Sequence, residues 1–340
     1  MIEDLPSGFA AGVLLNMMDD PRHRHIRRLV TPSVSPRALA AMEAELRERT
    51  DAILDTVAER GACDLVTDVA AELPLQAIAR LLGVPQGDRH RLFGWVNATL
   101  DYDDRRLGET STRVQAAQVE LFRYGAALLV EKRRSRTDDL LSAAVRGPIP
   151  SGAGGGEPLT EIEQQMLFNL LIAAGSETTR NSIALGFAAL VRHPDQWRAL
   201  RRDRSLVPRA VEEMLRWASS TPYNRRTATR NAEIRGIPIR AGDKITLWWA
   251  SANRDEDVFR DPFRFDVRRD PNPHLSLGHG NHFCLGANLA RLEMRLVFEG
   301  LLDRSSEIAL DGPIEWTRSN KHTGVRHMPA AFVRATEIPS

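Results

Sequence analysis

Pro271-Asn-Pro-His-Leu-Ser-Leu-Gly-His-Gly-Asn-His-Phe-Cys284-Leu-Gly286 runs directly into Ala287-Asn-Leu-Ala-Arg-Leu-Glu-Met-Arg-Leu-Val-Phe298. The second run carries apolar residues at helical spacing, so Cys284 stands where a glycine-bearing loop becomes a helix. The first N–H groups of a helix lack intrahelical partners, and the helix dipole adds partial positive charge there. Both effects favour a thiolate over a thiol. Gly278, Gly280 and Gly286 keep side chains away from the sulfur, so a flat ligand can lie against the backbone. A soft, partly desolvated thiolate with one open face suits a single axial bond to haem iron.

Two blander readings stand beside that one. A lone Cys near a helix end is ordinarily a small hydrophobe. A Cys nucleophile with His282 as its base is the other, but no oxyanion partner or orienting group can be named for it. The stretch as a whole resembles the haem-binding signature of the cytochrome P-450 family, Phe-Gly-x-Gly-x-His-x-Cys-x-Gly. Every fixed position matches except the first, where Leu277 replaces Phe. The resemblance implies a haem b cofactor with Cys284 as metal ligand, and Gly278, His282 and Gly286 in contact with the haem.

Length and composition set outer bounds. A chain of 340 residues can bury a large core. The net charge of +1 gives no global field that would favour nucleic acid or a membrane surface. Two cysteines form no disulfide framework and agree with a reducing cytoplasm. The N-terminus, Met1-Ile-Glu-Asp-Leu-Pro6, lacks the basic segment of a secretory signal, and the apolar run Phe9 to Met18 is about half the length needed to span a bilayer.

Local signals place most elements. Ser35-Pro36 opens a helix that ends near Gly61, and further helical runs cover 72–82, 88–100 and 112–134. Cys63 reads as structural core, and 147–158 reads as a glycine-rich connection. Thr160 and Glu163 form a capping box for a long helix that continues to about Arg192. Its centre is apolar nearly all round, so it passes through a core. Pro194 and Pro208 stand at permitted first-turn positions of two more helices. The clearest strand signals are Ala232 to Ile239, a turn at Ala241-Gly242, and Lys244 to Ala250. After Arg304 the chain reads as short strands.

Three further segments carry the resemblance. His23-x-x-x-Arg27 resembles the family's propionate-binding element, and Arg226 its other propionate arginine. The neighbouring Arg24 and Arg28 then point towards an acidic electron donor. Ala174-Gly-Ser-Glu-Thr-Thr179 resembles the family's Ala-Gly-x-Asp/Glu-Thr-Thr segment. There Ala174 contacts the haem, a kink at Gly175 opens a groove for dioxygen beside it, and Glu177 with Thr178 delivers protons. Glu213-x-x-Arg216 resembles the family's Glu-x-x-Arg pair, with Arg264 of Pro262-Phe-Arg-Phe265 as the third, structural member.

The expected protein is therefore mainly α with small β-sheets. A long central helix lies over a haem, with the Cys ligand loop on the opposite side. It is expected to be one domain over 1–340, shortened at the front, because the resemblance begins almost at residue 1. The implied activity is monooxygenation of a lipophilic small molecule with dioxygen, fed by a ferredoxin-type donor and its NAD(P)H-dependent reductase. Ala174-Gly-Ser-Glu-Thr-Thr-Arg-Asn181, Ser251-Ala-Asn-Arg-Asp255 and Asn272-Pro-His274 look like actinobacterial members that oxidise sterol side chains and methyl-branched lipids. Leu171, Ala174, Pro222, Tyr223, Thr323 and Val325 are the expected substrate-lining residues. An inactive or sensor-like haem binder would keep Cys284 without needing Glu177 and Thr178, and a Cys-dependent hydrolase would need no haem.

Overall fold

The structure, a computed structural model, describes residues 12–100, 111–135, 137–147, 158–319 and 322–334. The expectations for Met1 to Pro6 and for most of the 147–158 connection lie outside them.

Helix α1 spans Arg22–Val30 and α2 spans Pro36–Arg60. The Ser35 hydroxyl caps α2 by accepting from the Ala38 N–H at 3.3 Å, and Gly61 closes it at φ 73°. The short strand β1, Ala62–Asp64, leads to α3 (Glu72–Leu82), α4 (Arg89–Leu100), α5 (Thr112–Arg134) and α6 (Leu140–Arg146). Helix α7, Glu161–Arg192, is the 32-residue axis of the molecule. Its capping box is formed in both directions: the Glu163 N–H donates to the Thr160 hydroxyl at 3.2 Å, and the Thr160 N–H donates to Glu163 at 2.8 Å. Arg22 grips the same carboxylate with bonds of 2.8 and 2.6 Å, and so fixes α1 to the start of α7.

Helix α7 packs against α3, α4 and α5, and against two later helices: α9 (Val207–Ala218), which follows α8 (Pro194–Arg202), and α11 (Ala287–Arg304), which comes after the one-turn α10 (Trp249–Ala252). It runs unbroken through Gly175. The reason for glycine there is packing: a Cβ would come within 2.7 Å of the Ile78 side chain on α3. Phe168, Ile183, Phe187 and Leu190 of α7 are fully buried, which agrees with the near-continuous apolar character of the run.

The strand pairing differs from the sequence reading. Strands β3 (Ala232–Ile234) and β4 (Ile237–Ile239) pair with each other across Arg235 (φ 48°) and Gly236 (φ 79°), so the expected single strand is a hairpin. Two successive left-handed residues match the twist of the strands they join, and Gly236 supplies the second at no steric cost. Strand β5 (Lys244–Trp248) pairs instead with β2 (Tyr223–Thr227). The last strands are β6 (Ser305–Leu310), β7 (Glu315–Trp316), β8 (Val325–His327) and β9 (Pro329–Arg334). Strands β1, β9 and β6 form a three-stranded antiparallel sheet, and β7 pairs with β8. Cys63 lies in β1 opposite Ala330, where burial pushes its thiol up to about 12. It is an inert thiol. No helix among the described residues is long and apolar enough to cross a membrane.

Candidate active site

The Cys loop is built by its glycines. Gly278 and Gly280 have φ of 74° and 70°, values that side-chain-bearing residues rarely adopt. These turns bring the Cys284 N–H to the Leu277 carbonyl at 2.8 Å and the Phe283 N–H to that of Gly280 at 3.0 Å. Gly286 is the N-cap of α11. Burial raises the Cys284 pKa, while the Gly286 N–H, Arg27 and Arg291 pull it down; the net shift is upward. The helix-start effects alone therefore do not make a thiolate. A cation that displaces the proton must complete the job.

Helix α1 lays His23 and Arg27, one turn apart, against this loop. Arg27 donates to the Phe283 carbonyl, and the His23 ring stacks on His282 with centroids 4.1 Å apart. Burial lowers the His282 pKa, and the positive groups His23, Arg226 and Arg27 lower it further against the opposing pull of Asp19. Asp20 is held by Arg24 at 2.7 Å and by Asn281 at 2.7 Å. Arg27 and Arg226 have no carboxylate partner among the described residues; Arg226 donates only to the neighbouring Arg225 carbonyl at 2.9 Å. Cations gathered without counter-charge make an anion site.

Space is open at the Cys loop: Phe283 is 39% exposed, and a Cβ at Gly286 would meet nothing within 4 Å. On α7, Ala174 is exposed between the half-buried Ala173 and Gly175. A flat apolar body with acidic groups at its rim and one soft axial ligand fits these residues. That is the description of haem. Cys284 would hold the iron, and His23, Arg27, Arg226 and His282 the propionates.

On α7 the acid and the alcohol face different ways. Glu177 is buried, and its Oε1 accepts from Arg180 at 2.6 Å and Asn181 at 3.0 Å, while Oε2 has no partner. Arg180 in turn reaches Asn97 of α4 at 3.0 Å and lies over the Phe93 ring. Thr178 is half-buried and donates to the Ala174 carbonyl at 2.9 Å. The two side chains are not bonded to each other. With its proton committed to Ala174, the Thr178 hydroxyl offers lone pairs to a neighbour in the open space.

The expected lining residues separate. Leu171, Pro222 and Tyr223 are half-buried. Thr323 lines a different concavity, a groove of about 580 Å³ formed with Leu185, Ala188, Trp217 and Trp248. Val325 is fully buried, and its N–H donates to Asn181 at 3.2 Å, so its side chain is core and not lining.

The structural triad also needs correction. Glu213 Oε2 accepts from Arg216 Nε at 2.7 Å, from Arg269 Nε at 3.1 Å and from Asn272 Nδ2 at 3.2 Å. Arg269, not Arg264, is thus the second guanidinium. The Arg264 side chain is exposed, and the residue contributes its carbonyl, which accepts from Arg216 at 3.1 Å and from Arg269 at 2.8 Å.

One residue of α11 was not singled out from the sequence. Glu293 is 1% exposed, and neither carboxyl oxygen has a hydrogen-bond partner; Thr179 of α7 is a polar neighbour that misses bonding geometry. Its signal was an acid bracketed four residues either side by Leu289 and Val297, both buried. Burial pushes its pKa well above the usual carboxylate value, so the folded state keeps a proton that the unfolded chain releases. The folded pKa is raised, so stability is highest below the unfolded value near 4.5 and falls as pH rises towards the folded value. The slope is at most about 1.4 kcal/mol per pH unit. Glu293→Gln is expected to flatten that decline, read as urea midpoints at a series of pH values rising from about 4.5.

With this geometry in view, comparison with known proteins is direct. The family model "Cytochrome P450" matches residues 75–306. A protein of Mycobacterium tuberculosis named putative cytochrome P450 126 is 47% identical over 329 residues, covering 96% of this chain and 78% of that one. A methyl-branched lipid omega-hydroxylase of Mycobacterium bovis is 39% identical over 327 residues, covering 93% and 74%. The solved structure of Mycobacterium marinum cytochrome P450 CYP268A2 in complex with pseudoionone superposes with a TM-score of 0.89 at 34% identity, covering 97% and 80%. The chain belongs to the cytochrome P450 family. It is a haem-dependent monooxygenase of mainly helical fold that takes its electrons from a redox partner.

Proposed function

We propose that this P450 hydroxylates a methyl-branched lipid with haem b bound through Cys284, in the cytoplasm, using electrons from a ferredoxin-type donor with an NAD(P)H-dependent reductase. The observation that carries the haem site is the convergence on the Cys284 loop of Arg27 and Arg226, which have no carboxylate partner among the described residues, beside the stacked rings of His23 and His282. Apolar surface at Leu171, Ala174 and Phe283, together with the hydroxylase named above, supports a lipophilic substrate. The test is the carbon-monoxide difference spectrum of the reduced protein, followed by Soret titration. A branched-chain fatty acid should shift the band at lower concentration than a sterol of similar size. The reverse order would overturn the substrate class.

Bound haem supplies the iron that activates dioxygen. The protein's part is to place and protonate. Thr178 holds a lone pair towards the open space and orients a water there. Glu177, anchored through one oxygen by Arg180 and Asn181, keeps Oε2 free to take up and pass a proton. Thr178→Ala removes the orienting hydroxyl but no haem contact. It is expected to keep the carbon-monoxide spectrum while diverting reducing equivalents to peroxide, with product per NAD(P)H falling several-fold. An unchanged ratio would remove Thr178 from proton delivery.

A concave surface of about 440 Å³ beside the Cys loop, lined by Arg24, Arg27, Arg28, Thr31 and Gly280 among others, supports an acidic docking partner. Asp20 neutralises Arg24, whereas Arg28 carries no ion pair among the described residues. Exposed attraction is screened over roughly 8 Å at physiological salt. Reduction by an acidic ferredoxin is expected to slow as salt rises, and to slow less in Arg28→Ala. Equal salt dependence in the two would refute docking at this face.

A further inference from the structure

Glu212 stands beside Glu213 on α9 but serves different partners. Its Oε1 accepts from Arg291 Nε at 2.6 Å, and its Oε2 accepts from Arg291 Nη2 at 2.8 Å. His274 Nε2 lies 3.0 Å from the same Oε2, and the Ser276 N–H donates to His274 Nδ1 at 3.3 Å. A ring nitrogen that accepts carries no proton, so the network assigns the proton to Nε2, aimed at Glu212. Burial pushes the Glu212 carboxyl up, but the hydrogen bonds and charges of Arg291 and His274 outweigh it and hold the pKa at about 2. The pairing holds Glu212 as the anion at neutral pH.

Its two partners both belong to the ligand segment. His274 begins the loop, whose next residues are fixed by Asn253: Asn253 Oδ1 accepts from the Leu275 N–H at 2.7 Å, and its Nδ2 donates to Ser276 at 2.7 Å. Arg291 is the fifth residue of α11, just over one turn from its start, and the N-cap of that helix, Gly286, stands two residues after Cys284. Two cations act on the Cys284 sulfur, Arg27 and Arg291. Arg291 has a carboxylate against it, and Arg27 has none among the described residues.

We infer that Glu212 is an electrostatic counterweight: by pairing with Arg291 it limits the pull of that guanidinium on the Cys284 thiolate, and so sets the reduction potential of the iron bound there. The inference rests on the haem-thiolate reading above. Ligands are tuned through the groups that hold and charge their surroundings, and the potential follows thiolate electron density. A matched Arg–Glu pair presents little net charge to the sulfur; an unmatched guanidinium presents a full one. Positive charge near the ligand favours the reduced, more negative state. Removing the Glu212 charge therefore raises the potential, and removing the Arg291 charge lowers it. Glu212 touches neither substrate nor cofactor; it is a positioning residue.

The test is spectroelectrochemical titration of the substrate-free holoprotein as wild type, Glu212→Gln, Arg291→Gln and the double variant. Glutamine keeps the shape and an acceptor for Arg291. At a fixed applied potential the ferrous-to-ferric ratio is expected to rise about threefold or more in Glu212→Gln, to fall in Arg291→Gln, and to return near wild type in the double variant. Glu212→Asp, which keeps the charge, should restore the wild-type value, and it remains a readout together with Arg291→Gln if Glu212→Gln does not fold. Loosening of the loop would move both single variants in the same direction, so shifts of one sign, or no shift, overturn the inference. A wild type without a thiolate-type carbon-monoxide band would instead overturn the haem-thiolate reading itself.

Discussion

Cys284→Ala protein is expected to lose the thiolate-type carbon-monoxide band and substrate turnover completely. Cys63→Ala is expected to keep both. The difference comes from position and not from number of thiols. Cys284 faces partly open space with Arg27, Arg291 and the Gly286 N–H acting on its sulfur. Cys63 is pinned in β1 opposite Ala330, its pKa driven to about 12 first by burial and then by Asp68 and Asp64. It cannot stand in as a ligand. Retention of the band in Cys284→Ala would mean that the iron has another ligand and that the site has been misplaced.

The second large effect is on stability. Glu213 and Arg216 are both fully buried, and every donor of Arg216 is used. Nε and Nη2 reach Glu213 at 2.7 and 2.8 Å, Nη1 reaches the Asn253 and Pro262 carbonyls at 2.8 Å each, and Nη2 also reaches that of Arg264 at 3.1 Å. Removing one partner of a buried charged pair costs about 3–5 kcal/mol, because the other charge remains without compensation. Arg216→Met and Glu213→Leu are each expected to lose stability of that order, measured by chemical unfolding, and to hold less haem after purification. The double variant should lose less than the sum, since Glu213 and Arg216 no longer strand each other and only Arg269 is left without its carboxylate. Additive losses would show that the pair acts through separate contacts.

Much of this arrangement was legible because its signals are local. The Ser35 cap with Gly61, and the Thr160–Glu163 box, each mark a helix end within a few residues, and α2 and α7 end where those signals stand. The Cys loop was readable for the same reason: its glycines and its cysteine are one continuous segment. What failed was long-range. The partner of β5 is β2, across the sixteen residues 228–243 that contain another hairpin, and nothing in either strand alone names the other. Arg264 and Arg269 stand five residues apart in one loop, both far from Glu213 in the chain, and only the path of the backbone decides which one turns inward. The sequence places Glu177 and Thr178 side by side, yet adjacent helix positions point about 100° apart, so one is buried against Arg180 while the other meets the opening.

The loop around Arg216 and Arg269 has a consequence for how freely this chain can change. The two guanidiniums bind main-chain carbonyls of Arg260, Asp261, Pro262 and Arg264. A carbonyl is the same on every residue. The exposed side chains of Arg260, Phe263 and Arg264 therefore take no part in the lock that shapes the loop. They form a surface that can be rewritten residue by residue while the fold beneath it stays in place. Asp261, at φ 48°, is the exception, since few other side chains accept that backbone. A random library over these positions should accept most changes at 260, 263 and 264 and mainly Asn or Gly at 261. The part of the molecule that is most rigidly tied from within is thus among the most permissive from without.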